Sequence, residues 1–154
     1  MTKMRNFMKI VIFFLVQILF ADADLFETGS VISTEYDDRS ADIKPADIDG
    51  DGDLDIVSSR FTMKLHINDG SGNFTRTNIL DCSGTDIGSS IEAGRIAVSD
   101  VDSDGDIDIL YAANSQNKVE LLKNNNNNCF ESITLSIGGN PKDVTAADLD
   151  SDGD

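Results

Sequence analysis

The chain has 154 residues, about one domain by length, with 28 acidic side chains against 12 basic ones and a formal charge of −16. That balance excludes nucleic acid as a partner, because phosphate binding needs a basic stripe and the chain has none. Two cysteines and a single histidine exclude a zinc-finger or zinc-ribbon framework.

The acids are 23 Asp and only 5 Glu. Glu favours helices, whereas Asp favours turns, caps and oxygen-rich metal loops, so the skew already points to loops between short strands.

In chain order, Lys3, Arg5 and Lys9 precede an apolar run from Ile10 to Phe20 that only Gln17 interrupts, and Ala21-Asp22-Ala23 follows. Basic start, apolar stretch and small-residue exit predict a secretory signal over residues 1–23, with the protein secreted or at the cell surface. An uncleaved anchor or a buried N-terminal strand is the alternative. A membrane span needs roughly 20 apolar residues, so this run is too short, and no later segment could span once the signal is cleaved.

Residues 24–154 read as a repeat region. Phe26 to Ile32, within residues 24–40, has the spacing of an outermost strand, although a solvated leader fits it equally. The first repeat, 41–81, contains Asp47-Ile-Asp-Gly-Asp-Gly-Asp-Leu-Asp55. β-Prone stretches follow at 55–59, 63–68 and 74–80, the middle one alternating as a half-buried strand does. Residues 82–93 form an insertion. The second repeat, 94–136, carries Asp100-Val-Asp-Ser-Asp-Gly-Asp-Ile-Asp108, then strands over 108–112, 119–124 and 130–135. A third copy, 141–154, begins Asp148-Leu-Asp-Ser-Asp-Gly-Asp154 and stops before its ninth position. Four short strands per unit of about fifty residues are the blade of a β-propeller. The predicted fold is therefore all-β, a partial propeller of four-stranded antiparallel blades: about two full blades plus parts of flanking ones. A propeller needs more blades than this, which implies a fragment of a longer repeat protein.

The loops carry the chemistry. Aspartates at positions 1, 3 and 5 of a tight loop can aim their carboxylates at one centre, and Gly at position 6 permits the sharp turn that brings in the backbone carbonyl of position 7. The Asp at position 9 closes the shell. The expected ligands are Asp47, Asp49, Asp51, Asp53 and Asp55 in the first loop. Asp100, Asp102, Asp104, Asp106 and Asp108 take those places in the second. Asp148, Asp150, Asp152 and Asp154 form an incomplete third set. All-oxygen donors in this number suit Ca²⁺ better than Mg²⁺. Two carboxylates ~4 Å apart repel by roughly 4 kcal/mol at an effective dielectric of 20, so four of them need a cation. An EF-hand is excluded, because its position 12 demands Glu and these loops offer Ser58 and Tyr111.

The stretch Ala46 to Ile56, followed by Asn68-Asp-Gly-Ser-Gly-Asn-Phe74, resembles the FG-GAP/VCBS repeats of integrin α-like propellers. The resemblance runs over about residues 26–154. It implies one calcium ion in the loop between the first two strands of each blade, with the ligand positions named above.

Smaller features remain. Cys82 and Cys129 occupy non-equivalent places in the two repeats, so whether they pair is open, although an exported protein permits a disulfide. Asn73-Phe-Thr75 is a glycosylation sequon. The run Asn124 to Asn128 reads as a permissive loop, and His66 as a strand residue without a Ser or Cys partner. No catalytic constellation occurs in the chain. The expected function is an exported calcium-binding recognition or adhesion module with an extracellular protein or glycan ligand. The alternative is an accessory or incomplete catalytic propeller of a secreted carbohydrate-active enzyme.

Overall fold

The computed structural model describes residues 42–59, 61–90, 94–125, 129–135 and 138–149. The signal peptide and the outer strand expected before residue 41 lie outside them, as do Asp150, Asp152 and Asp154.

Among the described residues nine strands form two sheets, and the fold is all-β as expected. The first sheet takes β1 (Asp42–Ala46), β2 (Asp55–Ser59), β3 (Met63–Asn68) and β4 (Phe74–Asn78), each antiparallel to the next. The second takes β6 (Ile96–Ser99), β7 (Asp108–Ala113), β8 (Lys118–Asn124) and β9 (Cys129–Leu135) in the same order, with β5 (Leu80–Asp81) added at its outer edge. Two four-stranded antiparallel meanders side by side are the arrangement of neighbouring propeller blades.

The registers coincide. Ala46 faces Asp55 as Ser99 faces Asp108. Ser58 faces Lys64 as Tyr111 faces Glu120, and Asn68 faces Phe74 as Asn124 faces Phe130. The sequence repeat is thus a repeat of hydrogen-bonded pairs, which fixes which side chains share a face.

The main core lies between the sheets. Val57, Met63 and Leu65 of the first sheet pack with Ile96, Ile109, Tyr111, Leu122 and Phe130 of the second, and Ile48 joins them from the first aspartate loop. Asp42 ties the leading strands together, its Oδ2 accepting the N–H of Ile96 at 3.0 Å. A second cluster, Ala97, Leu110 and Leu121, covers the opposite face of the second sheet and is packed by Val101, Val144 and Ala146. In β8, Val119, Glu120, Leu121 and Leu122 are all buried because apolar material lies on both of its faces.

Two elements differ from the expected blade. The stretch 74–80 is one strand by composition, yet it breaks at Ile79, and Leu80–Asp81 crosses to the other sheet to pair in parallel with Cys129 and Phe130. That crossing brings Cys82 to Cys129, and they form a disulfide with Cα atoms 4.8 Å apart. The described start of the third copy, residues 141–149, is irregular rather than extended into a strand. Among the described residues no helix is long and apolar enough to cross a membrane.

Candidate metal centres

Each aspartate loop runs from the end of one strand to the start of its antiparallel partner. The first spans β1 to β2 and the second β6 to β7. Glycine is required at position 6 of both, where Gly52 has φ +95° and Gly105 φ +94°, a conformation that a Cβ disfavours. The position-1 carboxylates then fold back over their own loops. Asp47 accepts from the N–H groups of Gly50 (2.9 Å) and Gly52 (3.0 Å). Asp100 accepts from those of Asp104 (3.2 Å) and Gly105 (2.9 Å).

The position-9 aspartates are the fixed points. Asp55 is fully buried, one oxygen accepting the N–H of Ile48 at 2.9 Å and the other that of Asn68 at 2.8 Å. Asp108 is equally buried and repeats the arrangement with Val101 at 2.9 Å and Asn124 at 2.8 Å. One carboxylate thus fastens the loop to the end of the third strand of its sheet. Each oxygen keeps a second lone pair for another partner.

These contacts gather three acids in each loop. Carboxylate oxygens of Asp47, Asp49 and Asp55 lie within 4.8 Å of one another, and those of Asp100, Asp102 and Asp108 do the same. Oxygens at 2.3–2.6 Å from one ion can be at most about 5 Å apart, so the donor set fits a single Ca²⁺-sized cation in chemistry and in spacing. The remaining expected ligands are placed differently. Asp51 and Asp104 lie outside these groups and accept the N–H of Asp53 (2.9 Å) and of Asp106 (3.0 Å). The Asp53 side chain lies against Gly70 of the following turn, where a Cβ would collide with it. Asp148 is exposed and lines a cavity of about 420 Å³ with Ser99, Asp100 and Val101.

Electrostatics marks the same groups. Burial, and after it the charge of Asp55, raises the Asp49 carboxyl above its ordinary value. Burial raises Asp108 as well, with the charges of Asp102 and Asp104 adding to it against two backbone hydrogen bonds. One acid of each trio is thus harder to ionise than a free carboxyl. A divalent ion among them reverses that tendency.

Residues 100–154 match the family model of the FG-GAP-like repeat. No curated protein and no solved structure matches the chain significantly. The match covers the second loop and everything after it; the first loop lies outside it and shares with the second the strand registers and the two backbone contacts of the buried aspartate.

The two repeats share one feature that sequence reading did not single out. Asn68 and Asn124 sit at the same place, and each is the strand-side partner of the buried Asp. Asn68 donates its amide to Leu54 O at 3.2 Å, and Asn124 donates to Ile107 O at 3.3 Å. Asn124 also reaches across to the first unit and donates to Ile48 O at 2.9 Å. Ile48, between two candidate ligands, is therefore held by its own sheet at N–H and by the next sheet at C=O. The recurrence of Asn just before each turn was the available signal.

Three further residues complete the comparison. Lys123 pairs with Asp102 and lies 3.5 Å from Asp104, where the first unit has Ile67. His66 is buried and does have a serine partner, with 3.1 Å between its Nε2 and Ser58 Oγ; both are interior, so the pair joins β2 to β3. In the second unit the position of Ser58 belongs to Tyr111, which donates to the buried carboxylate of Glu120; Lys118 at 2.8 Å and Thr134 at 2.9 Å complete that cluster.

Proposed function

We propose that this chain is part of an exported, calcium-stabilised β-propeller module that recognises an extracellular protein or glycan. The observation that carries the calcium reading is the duplicated trio of carboxylates around a buried aspartate. Two loops with the same three acids, the same two backbone N–H contacts and the same glycine conformation are a repeated structural solution, which random acidic surface does not produce. Asp47, Asp49 and Asp55 would hold one ion, and Asp100, Asp102 and Asp108 the other. The ion would supply the positive charge that lets these acids stay ionised together and would fix the turn between the first two strands of each sheet. Export is supported by the signal-like start of the sequence, by the disulfide and by the mainly extracellular use of FG-GAP-like repeats. A recognition role follows from a rigid sheet scaffold with loops gathered at its ends.

The test is thermal unfolding of the full chain in calcium and in EGTA. Millimolar calcium is expected to raise the midpoint by several degrees, by about 5 °C or more for a domain of this size. Replacement of both Asp49 and Asp102 by Ala is expected to remove the shift. An unchanged midpoint in the unaltered protein refutes the calcium reading.

A further inference from the structure

The two loops differ in their own counterions. Among the described residues no lysine or arginine forms an ion pair with the acids of the first loop. In the second, the Lys123 ammonium sits on Asp102, one of the three acids that come together there, and 3.5 Å from Asp104. The difference has a simple origin in the strands. Residue 67 and residue 123 are register-equivalent, each directly before the Asn that meets the buried Asp. In β3 the position is Ile67, packed against the core between the sheets. In β8 it is Lys123, a quarter exposed, whose chain is long enough to reach the loop.

We propose that Lys123 is a tethered counterion that competes with the divalent cation at the second loop, so that the two loops load in order, the first at lower calcium and the second at higher. This rests on the calcium reading above. A cation bound by Asp100, Asp102 and Asp108 would stand only a few ångströms from an ammonium held on the same Asp102 carboxylate. The ion must displace that ammonium or tolerate its repulsion, and either weakens binding. In the absence of metal the same ammonium relieves the repulsion among Asp100, Asp102 and Asp104. The second loop is thereby partly neutralised from within, whereas among the described residues no cationic side chain does the same for the first.

The experiment is calorimetric calcium titration of the full chain, with Asp49→Ala used to silence the first loop so that the second is read alone. In that background Lys123→Gln is expected to tighten calcium binding about five-fold or more, whereas Lys123→Arg, which keeps the charge, stays within about two-fold of the parent. Melting separates this role from a merely structural one. Lys123→Gln is expected to lower the midpoint by roughly 2 °C in EDTA and to leave it unchanged or higher in calcium. Unchanged affinity in Lys123→Gln, or equal loss of midpoint with and without calcium, overturns the proposal while leaving the calcium sites standing. Absence of any calcium heat in the protein with both loops intact overturns the calcium reading and this inference with it.

Discussion

The first and second repeats share their strand registers but differ in what surrounds them. The buried apolar side chains of the first sheet all belong to the core between the sheets, Ile43 and Phe61 are exposed, and its loop has glycine at both tight positions, Gly50 and Gly52. The second sheet is covered on both faces, and β7 is buried at every residue. Its loop carries Ser103 where the first has Gly50, in the same left-handed conformation (φ 58°), at a cost of about 1 kcal/mol. The second repeat can bear that cost because it has reinforcements the first lacks: the disulfide, the Tyr111–Glu120–Lys118 cluster and Lys123. Repeats alike in sequence thus reach the same backbone with different margins of stability.

Removing the disulfide should widen the contrast most. It closes a sequence separation of 47 residues, which chain entropy values at about 4 kcal/mol. Cys82→Ser combined with Cys129→Ser is expected to lose most of that in urea unfolding. Hydrogen exchange should accelerate in 129–135 before it does in 63–68; equal acceleration in both would show that the bridge does not act on the second repeat in particular.

The buried aspartates offer the next test. Asp108→Ala is expected to cost about 3 kcal/mol and Asp55→Ala about 2 kcal/mol, both measured in EDTA, because each strands one buried and one half-buried N–H group. The extra loss at Asp108 comes from Asn124, which it orients toward Ile48. Identical losses would mean that this bond between the repeats contributes nothing.

The smallest effect concerns pH. Burial alone would raise Glu120, but Lys118, Tyr111 and Thr134 together hold its carboxyl below its ordinary value. A lowered carboxyl stabilises the fold above the unfolded value, and that contribution disappears as pH falls through the folded one. Compared with Glu120→Gln, the unaltered protein should be more stable by about 1 kcal/mol at pH 7, with the gap closing below about pH 4. The first repeat has Lys64 at the equivalent place, where it pairs with Asp86 at 3.6 Å instead.

Much of this was readable from residue order. Strands β2 and β3 begin and end where Asp55-Ile-Val-Ser-Ser59 and Met63 to Asn68 place them, since the Asp- and Gly-rich stretches 47–53 and 69–72 bound the pair at its two outer ends. The acids at loop positions 1, 3 and 9 were recognisable because their spacing repeats. What escaped depends on contacts distant in sequence. Leu80 and Asp81 are two residues with no periodicity of their own, and only the neighbouring sheet makes them a strand. The disulfide depends on that crossing, so it could not be deduced from the non-equivalent positions of Cys82 and Cys129. Asn124 reads as the first of a polar run, yet it is 1% exposed, because burial is decided by the sheet beside it. Lys123 looks like an ordinary strand lysine until β8 and the second loop are brought side by side.

The clamp on Ile48 has a consequence for the order in which the protein can fold. Its N–H is satisfied as soon as β2 emerges, but its carbonyl partner belongs to a residue synthesised 76 positions later. A nascent chain that has exposed the first repeat alone holds a turn fastened at one end. That turn is therefore complete only once the second repeat has folded beside it.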